Sequence, residues 1–165
     1  MTKSSRLAVW HRLSLLCPVL LALASLKKRG VVRIQALWRS IAIYQNPGIK
    51  HWSLFIDAAE TGEKTIIHLL GARHKYFIEV RPRSDGNISN SLIELCSLCE
   101  IDASNIETVK GIAYETPIRN DISDYSCQDF ILEVLDKLEQ NGIIVDTADY
   151  PGKKRTIKEK REAWQ

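Results

Sequence analysis

Cys127 follows Ser126 and precedes Gln128 and Asp129, and this string reads as the start of a helix. A serine with an acid three positions on matches the capping-box pattern. It places Cys127 in the first helical turn, where unpaired main-chain N–H groups and the helix dipole favour an anion. A thiolate is such an anion, so a thiol pKa is expected to fall there. Phe130, Ile131, Val134 and Leu138 recur at helical spacing from Cys127 and make an apolar face. Cys127 shares that face, so its sulfur is expected to point into the fold. Its own N–H would point toward an oxyanion forming at the sulfur.

The partner for such a sulfur is an imidazole. His51 opens the run His-Trp-Ser-Leu-Phe-Ile, and His68 lies inside Thr-Ile-Ile-His-Leu-Leu. Both runs read as strands. If they form a hairpin with residue 56 opposite residue 65, Ser53 faces His68 and His51 faces Leu70. The two histidines are then diagonal neighbours on one face, ~7–8 Å apart at Cα. A slip of one residue would separate them to opposite faces.

These groups allow a thiol mechanism in which His51 is the base, Cys127 the nucleophile and His68 the group that orients the imidazole. Each residue alone has an ordinary explanation. A cysteine on an apolar helix face packs, and a histidine at a strand end is solvated or satisfied. Their joint placement carries the functional reading. His74, between Arg73 and Lys75, reads as a solvated turn residue, and His11 lies in the leader.

The elements that must position these residues begin near Ser40. Residues 40–44 read as a strand ended by the Asn46-Pro47-Gly48 turn, and residues 51–56, 65–70 and 75–80 as three more. Residues 92–101 are an apolar run that periodicity leaves open between strand and buried helix. Asp102 to Asn105 cap a helix over residues 106–114, and the helix from Cys127 stops at Gln140-Asn141-Gly142. Residues 143–145 make a last short apolar element. Strands first and helices later predict an α+β fold, an antiparallel sheet with helices packed on it.

The 165 residues suffice for one domain, expected over residues 40–150, with an apolar and basic segment (1–39) before it and a basic tail (151–165) after it. The first acid is Asp57, and a charge-free run spans residues 13–26. At fourteen residues that run is short for a bilayer span, which needs ~20. Secretion is less favoured than a membrane-surface contact or a segment outside the fold, because Lys27-Lys28-Arg29 follows directly. Cytoplasmic or membrane-associated placement is therefore the expectation. Of the four cysteines, Cys96 and Cys99 form the one close pair. With no second pair or histidines at ligand spacing, they read as small buried hydrophobes. No metal site, Gly-rich phosphate loop or other cofactor motif is present, and no basic–aromatic interleaving points to nucleic acid.

The blocks His51-Trp52-Ser-Leu-Phe-Ile56, Ile66-Ile67-His68-Leu69 and Ser126-Cys127-Gln128-Asp129-Phe130 resemble the permuted NlpC-type papain-like proteins. That superfamily includes the lecithin:retinol acyltransferase and phospholipase/acyltransferase group and, more distantly, the desumoylating isopeptidases. The resemblance covers about residues 40–145 and is closer still to small fungal proteins of unassigned function. It implies a circularly permuted papain-like fold, which accounts for histidine preceding cysteine. It also implies Cys127 as nucleophile, His51 as general base and His68 as third polar member. Gln128, Trp52 and Tyr44 then belong to the substrate and oxyanion neighbourhood. Ser126 stands where that group usually has Asn, Gln128 where it has Glu, and Asp129 where it has His.

The expected function is thus a cysteine-dependent hydrolase or acyltransferase working through a thioester. Its substrate would be a small-molecule, lipid or peptide acyl compound, and residues 1–39 would meet a membrane surface. The alternative is a catalytically silent papain-like module that binds a partner or small ligand.

Overall fold

The strand His51–Ala58 (β2) buries Trp52, Leu54 and Ile56 on one side and Ser53 and Phe55 on the other. A strand buried on both faces must lie inside a sheet covered on both sides. The computed structural model describes residues 36–58, 63–144 and 147–163, and it shows how both covers are built. β1 (Ala36–Tyr44), β2, β3 (Glu63–Ala72), β4 (Lys75–Pro82) and β5 (Leu92–Asp102) form one sheet in the order β4-β3-β2-β1-β5. Every neighbouring pair is antiparallel. The run over residues 92–101 is therefore a strand, and the described residues form an α+β fold.

Three α-helices follow among the described residues: α1 (Ile106–Tyr114), α2 (Cys127–Gln140) and α3 (Tyr150–Glu159). α2 packs on β2 and β3, α3 on β5, and α1 on α2. Phe130, Ile131, Val134, Leu135 and Leu138 join Trp52, Leu54, Ile56, Ile67 and Leu69 in the main core. Each such side chain, fully buried, contributes about 1.5–3 kcal/mol. No helix among the described residues is long and apolar enough to cross a membrane.

The second face is covered differently. β4 and β5 lie at opposite edges of the sheet, so the chain between them must cross it. It does so over Ala42, Phe55 and Ile66, a small second core completed by Tyr44 and Leu92. Gly86, within this crossing, sits so close to the sheet that an added Cβ would lie 3.1 Å from both Phe55 Cδ2 and the Tyr44 hydroxyl. The crossing and the sheet together roof a cavity of about 670 Å³.

The strands and helices depart from the expected elements at three places. β1 begins at Ala36, four residues before Ser40, so Arg39 is a strand residue. The basic residues after 150 include a helix, α3, anchored by buried Tyr150 and Ile157. Ile143 and Ile144 lie in a turn after α2, with Val145 outside the described residues. The apolar run 13–26, Cys17 and His11 also lie outside them.

Candidate active site

Three hairpin strands bring the imidazoles together. The β2–β3 register pairs Ser53 with His68, and the β3–β4 register pairs His68 with Glu79. His51, two residues before Ser53 on the same face, sits diagonally from His68, as the parity of the two strands predicts. His51 Nε2 and His68 Nδ1 are 2.9 Å apart, with the ring planes at 62°. His68 Nε2 lies 2.8 Å from Glu79 Oε2, and the Arg81 Nε also bonds that oxygen.

The direction of this chain fixes the tautomers. An ionised carboxylate only accepts, so His68 Nε2 carries the proton. Neutral His68 then accepts at Nδ1, and His51 must donate from Nε2. The lone pair of His51 is left on Nδ1, the nitrogen available as a base. Both imidazoles are neutral at pH 7. Burial, aided by His68 and Arg81, pulls His51 down to about 4. Burial also lowers His68, against the opposing pull of Glu79. Glu79 is held below the usual carboxylate range, mainly by its bond to His68.

Cys127 arrives on α2. Ser126 is extended and accepts from the Gln128 N–H at 3.2 Å, while the Asp129 carboxylate accepts the Ser126 N–H at 2.9 Å. The predicted capping box is present. Replacing Ser126 with Ala is expected to cost about 1 kcal/mol of stability, read as a lower urea midpoint. The sulfur rests on main chain either side of His51. It lies 4.0 Å from the Lys50 carbonyl oxygen and receives the Trp52 N–H. Cys127 and both histidines line the same cavity.

The thiol itself departs from the helix-terminus expectation. Cys127 is only 5% exposed, and burial pushes its pKa up to about 11 despite the N–H groups of Trp52, Cys127 and Gln128. Desolvation outweighs the dipole here. At neutral pH the resting pair is a neutral thiol with a neutral imidazole.

The flanking residues fall in three places. Tyr44 lines the cavity, its ring 6.0 Å from that of His51, and its hydroxyl reaches the Gly86 carbonyl at 3.4 Å. Trp52 is fully buried in the helical core, so its main chain rather than its indole meets the sulfur. Gln128 is also fully buried. Its Nε2 donates to the Lys50 carbonyl at 2.8 Å, and its Oε1 accepts the Glu162 N–H at 2.7 Å. It ties chain segments together and does not line the cavity. His74 holds a turn, with φ 67° and its Nδ1 2.8 Å from the Asn120 carbonyl oxygen.

Glu79 and Arg81 were not among the sequence candidates. The same parity argument, carried one hairpin further across the tight turn after Gly71, would have found Glu79. Gly71 permits that turn, with φ 108° and the Lys75 carbonyl oxygen 2.3 Å from where a Cβ would stand. Cys99 is buried and Cys96 half-buried, both free thiols, and burial raises Cys96 to about 11. No cluster among the described residues has the make-up of a metal site.

Fold and site together define an α+β protein whose five-stranded antiparallel sheet carries an imidazole–imidazole–carboxylate chain beside a buried helix-start thiol. The chain belongs to a family of unknown function, DUF6540, whose model matches residues 40–145. No curated protein and no solved structure matches it.

Proposed function

We propose that this protein is a cysteine-dependent hydrolase or acyltransferase of circularly permuted papain-like design, acting through a thioester. The observation that carries the reading is the His51–His68–Glu79 chain, which leaves His51 Nδ1 as the basic nitrogen in the cavity that Cys127 also lines. Nδ1 takes the thiol proton as the sulfur attacks the acyl carbon. The C–N or C–O bond of the substrate breaks, and the imidazolium returns the proton to the leaving group. Water or an alcohol or amine acceptor, deprotonated by the same nitrogen, then attacks the thioester. The C–S bond breaks, and the sulfur regains a proton. The Cys127 N–H at the head of α2 would stabilise the oxyanion. No cofactor enters this scheme.

The cavity's mixed walls suit an acyl compound with an apolar part and a polar part. Ile66, Leu69 and Leu70 supply one kind of surface, and Ser84, Ser89 and Ser91 the other. Residues 1–35, with their basic and apolar character, would bring the domain to a membrane surface.

A second reading, a catalytically silent papain-like module that binds a ligand in the cavity, is favoured by the burial of the sulfur. Intact mass spectrometry separates the two. Protein incubated with p-nitrophenyl acetate, butyrate and octanoate is expected to gain one acyl group on Cys127, and Cys127→Ala none. Absence of any adduct on Cys127, with the fold intact, would support the silent module.

A further inference from the structure

Residues 160–162 run back across the site. Lys160 Nζ bonds Glu94 at 2.9 Å, and Arg161 Nε bonds Asp129 Oδ1 at 2.5 Å. Asp129 is the acid of the α2 capping box, and Arg161 also reaches the Asp124 carbonyl at 3.4 Å. Glu162 then contacts the chain neighbours of the proposed reacting pair. Its Oε2 accepts the Lys50 main-chain N–H at 2.9 Å, and its Oε1 meets Lys50 Nζ at 2.5 Å. Its own N–H is held by Gln128 Oε1 at 2.7 Å.

Lys50 is the residue before His51, and Gln128 the residue after Cys127. The Lys50 carbonyl accepts the Gln128 amide and lies against the Cys127 sulfur. Lys50, Gln128 and Glu162 therefore close a ring of hydrogen bonds that clamps the start of β2 to the start of α2. The sheet alone does not do this: it pairs His51 with Tyr44 of β1, its β2–β3 pairing begins at Ser53, and neither pairing reaches α2. Glu162 also lies outside the stretch matched by the family model.

We propose that Glu162 is a positioning residue: by gripping Lys50 at its N–H and Nζ while Gln128 grips Glu162 in turn, it sets His51 relative to Cys127. The inference rests on the thiol-enzyme reading above and adds a residue to it. Glu162 touches neither substrate nor reacting atoms and acts through Lys50 and Gln128. Small misplacements of reacting groups cost large factors in rate. Glutamine at 162 keeps the acceptor for the Lys50 N–H, whereas alanine removes every side-chain contact.

Two measurements on the full chain test this. The first is the rate of Cys127 acylation by p-nitrophenyl acetate against pH, with thermal melts recorded alongside. Glu162→Ala is expected to be about 10- to 100-fold slower than wild type while still melting cooperatively. Glu162→Gln should recover most of the rate. The second is the NMR titration of the His51 imidazole, which does not depend on any reaction. Its midpoint should climb from its depressed position toward the ordinary imidazole value in Glu162→Ala, as the ring loosens and gains water. An unchanged His51 midpoint in Glu162→Ala would overturn the inference, whatever the acylation data show. So would a wild-type acylation rate in that variant. Acylation of the wild type that ignores His51→Ala would instead sink the thiol-enzyme reading, leaving the titration to judge Glu162.

Discussion

His51→Ala is expected to slow acylation of Cys127 by about 10²- to 10⁴-fold at pH 7, the usual span for loss of a positioned general base. The shape of the pH profile should change as well as its height. In the wild type the base must be neutral, so the rate rises as pH passes about 4 and then flattens. Without His51 the reaction must use preformed thiolate. Its rate should climb tenfold per pH unit toward the thiol value of about 11. His68→Ala should give an intermediate loss, because it leaves the base in place but frees its ring and its tautomer. The measurement is p-nitrophenolate release in protein whose other cysteines are replaced. A flat difference between wild type and His51→Ala across pH 5–10 would show that the imidazole takes no proton from the sulfur.

The second large effect concerns stability. Arg39 is fully buried, and its Nε and both Nη atoms have no hydrogen-bond partner among the described residues. Burial pulls the guanidinium down to about 10, against the opposing influence of Cys99 and Tyr150. An uncompensated buried charge is among the costliest features a core can hold. Methionine matches the length of the side chain and carries no charge. Arg39→Met is therefore expected to raise stability by about 1–4 kcal/mol, seen as a higher urea midpoint at unchanged slope. A lower midpoint would mean that the guanidinium is compensated after all.

Arg39 also shows what the sequence conceals. Among the eight basic residues of the first forty it looks like one more leader charge. Only the pairing of β1 with β2 and β5 makes it interior, with Cys99 as its cross-strand neighbour. The hairpins were legible for the opposite reason. Period-two alternation puts His51 and His68 on one face once residue 56 is set opposite residue 65, the register that β2 and β3 adopt. The capping box at Ser126 was legible in the same way, being a local motif with a local cause.

Contacts across long stretches of chain were not legible. Glu79, by contrast, is near His68 in the chain and within reach of the parity argument, but as a half-exposed strand residue it resembles any solvated acid until His68 is set opposite it. Gln128 was placed near the oxyanion because it neighbours Cys127, but its amide is used to bind Lys50 and Glu162. α3 escaped because its charge masks a sparse pattern. Only Tyr150 and Ile157, seven positions apart, are buried. The thiol pKa was misjudged because a helix terminus can be read from sequence, whereas the depth of burial cannot.

The base chain lies on β2, β3 and β4, consecutive strands joined by short connections, while the sulfur comes from a helix after the crossing segment, β5 and α1. Contacts close in sequence form faster than distant ones. On a ribosome the two imidazoles and their carboxylate can align while Cys127 is still unsynthesised. The nascent chain would thus hold a proton acceptor with nothing to activate, and the sulfur would meet its base only when α2 seals the core. Any thiol chemistry would wait for α2, and for residue 162 after it, sparing neighbouring polypeptides from a half-built reactive centre.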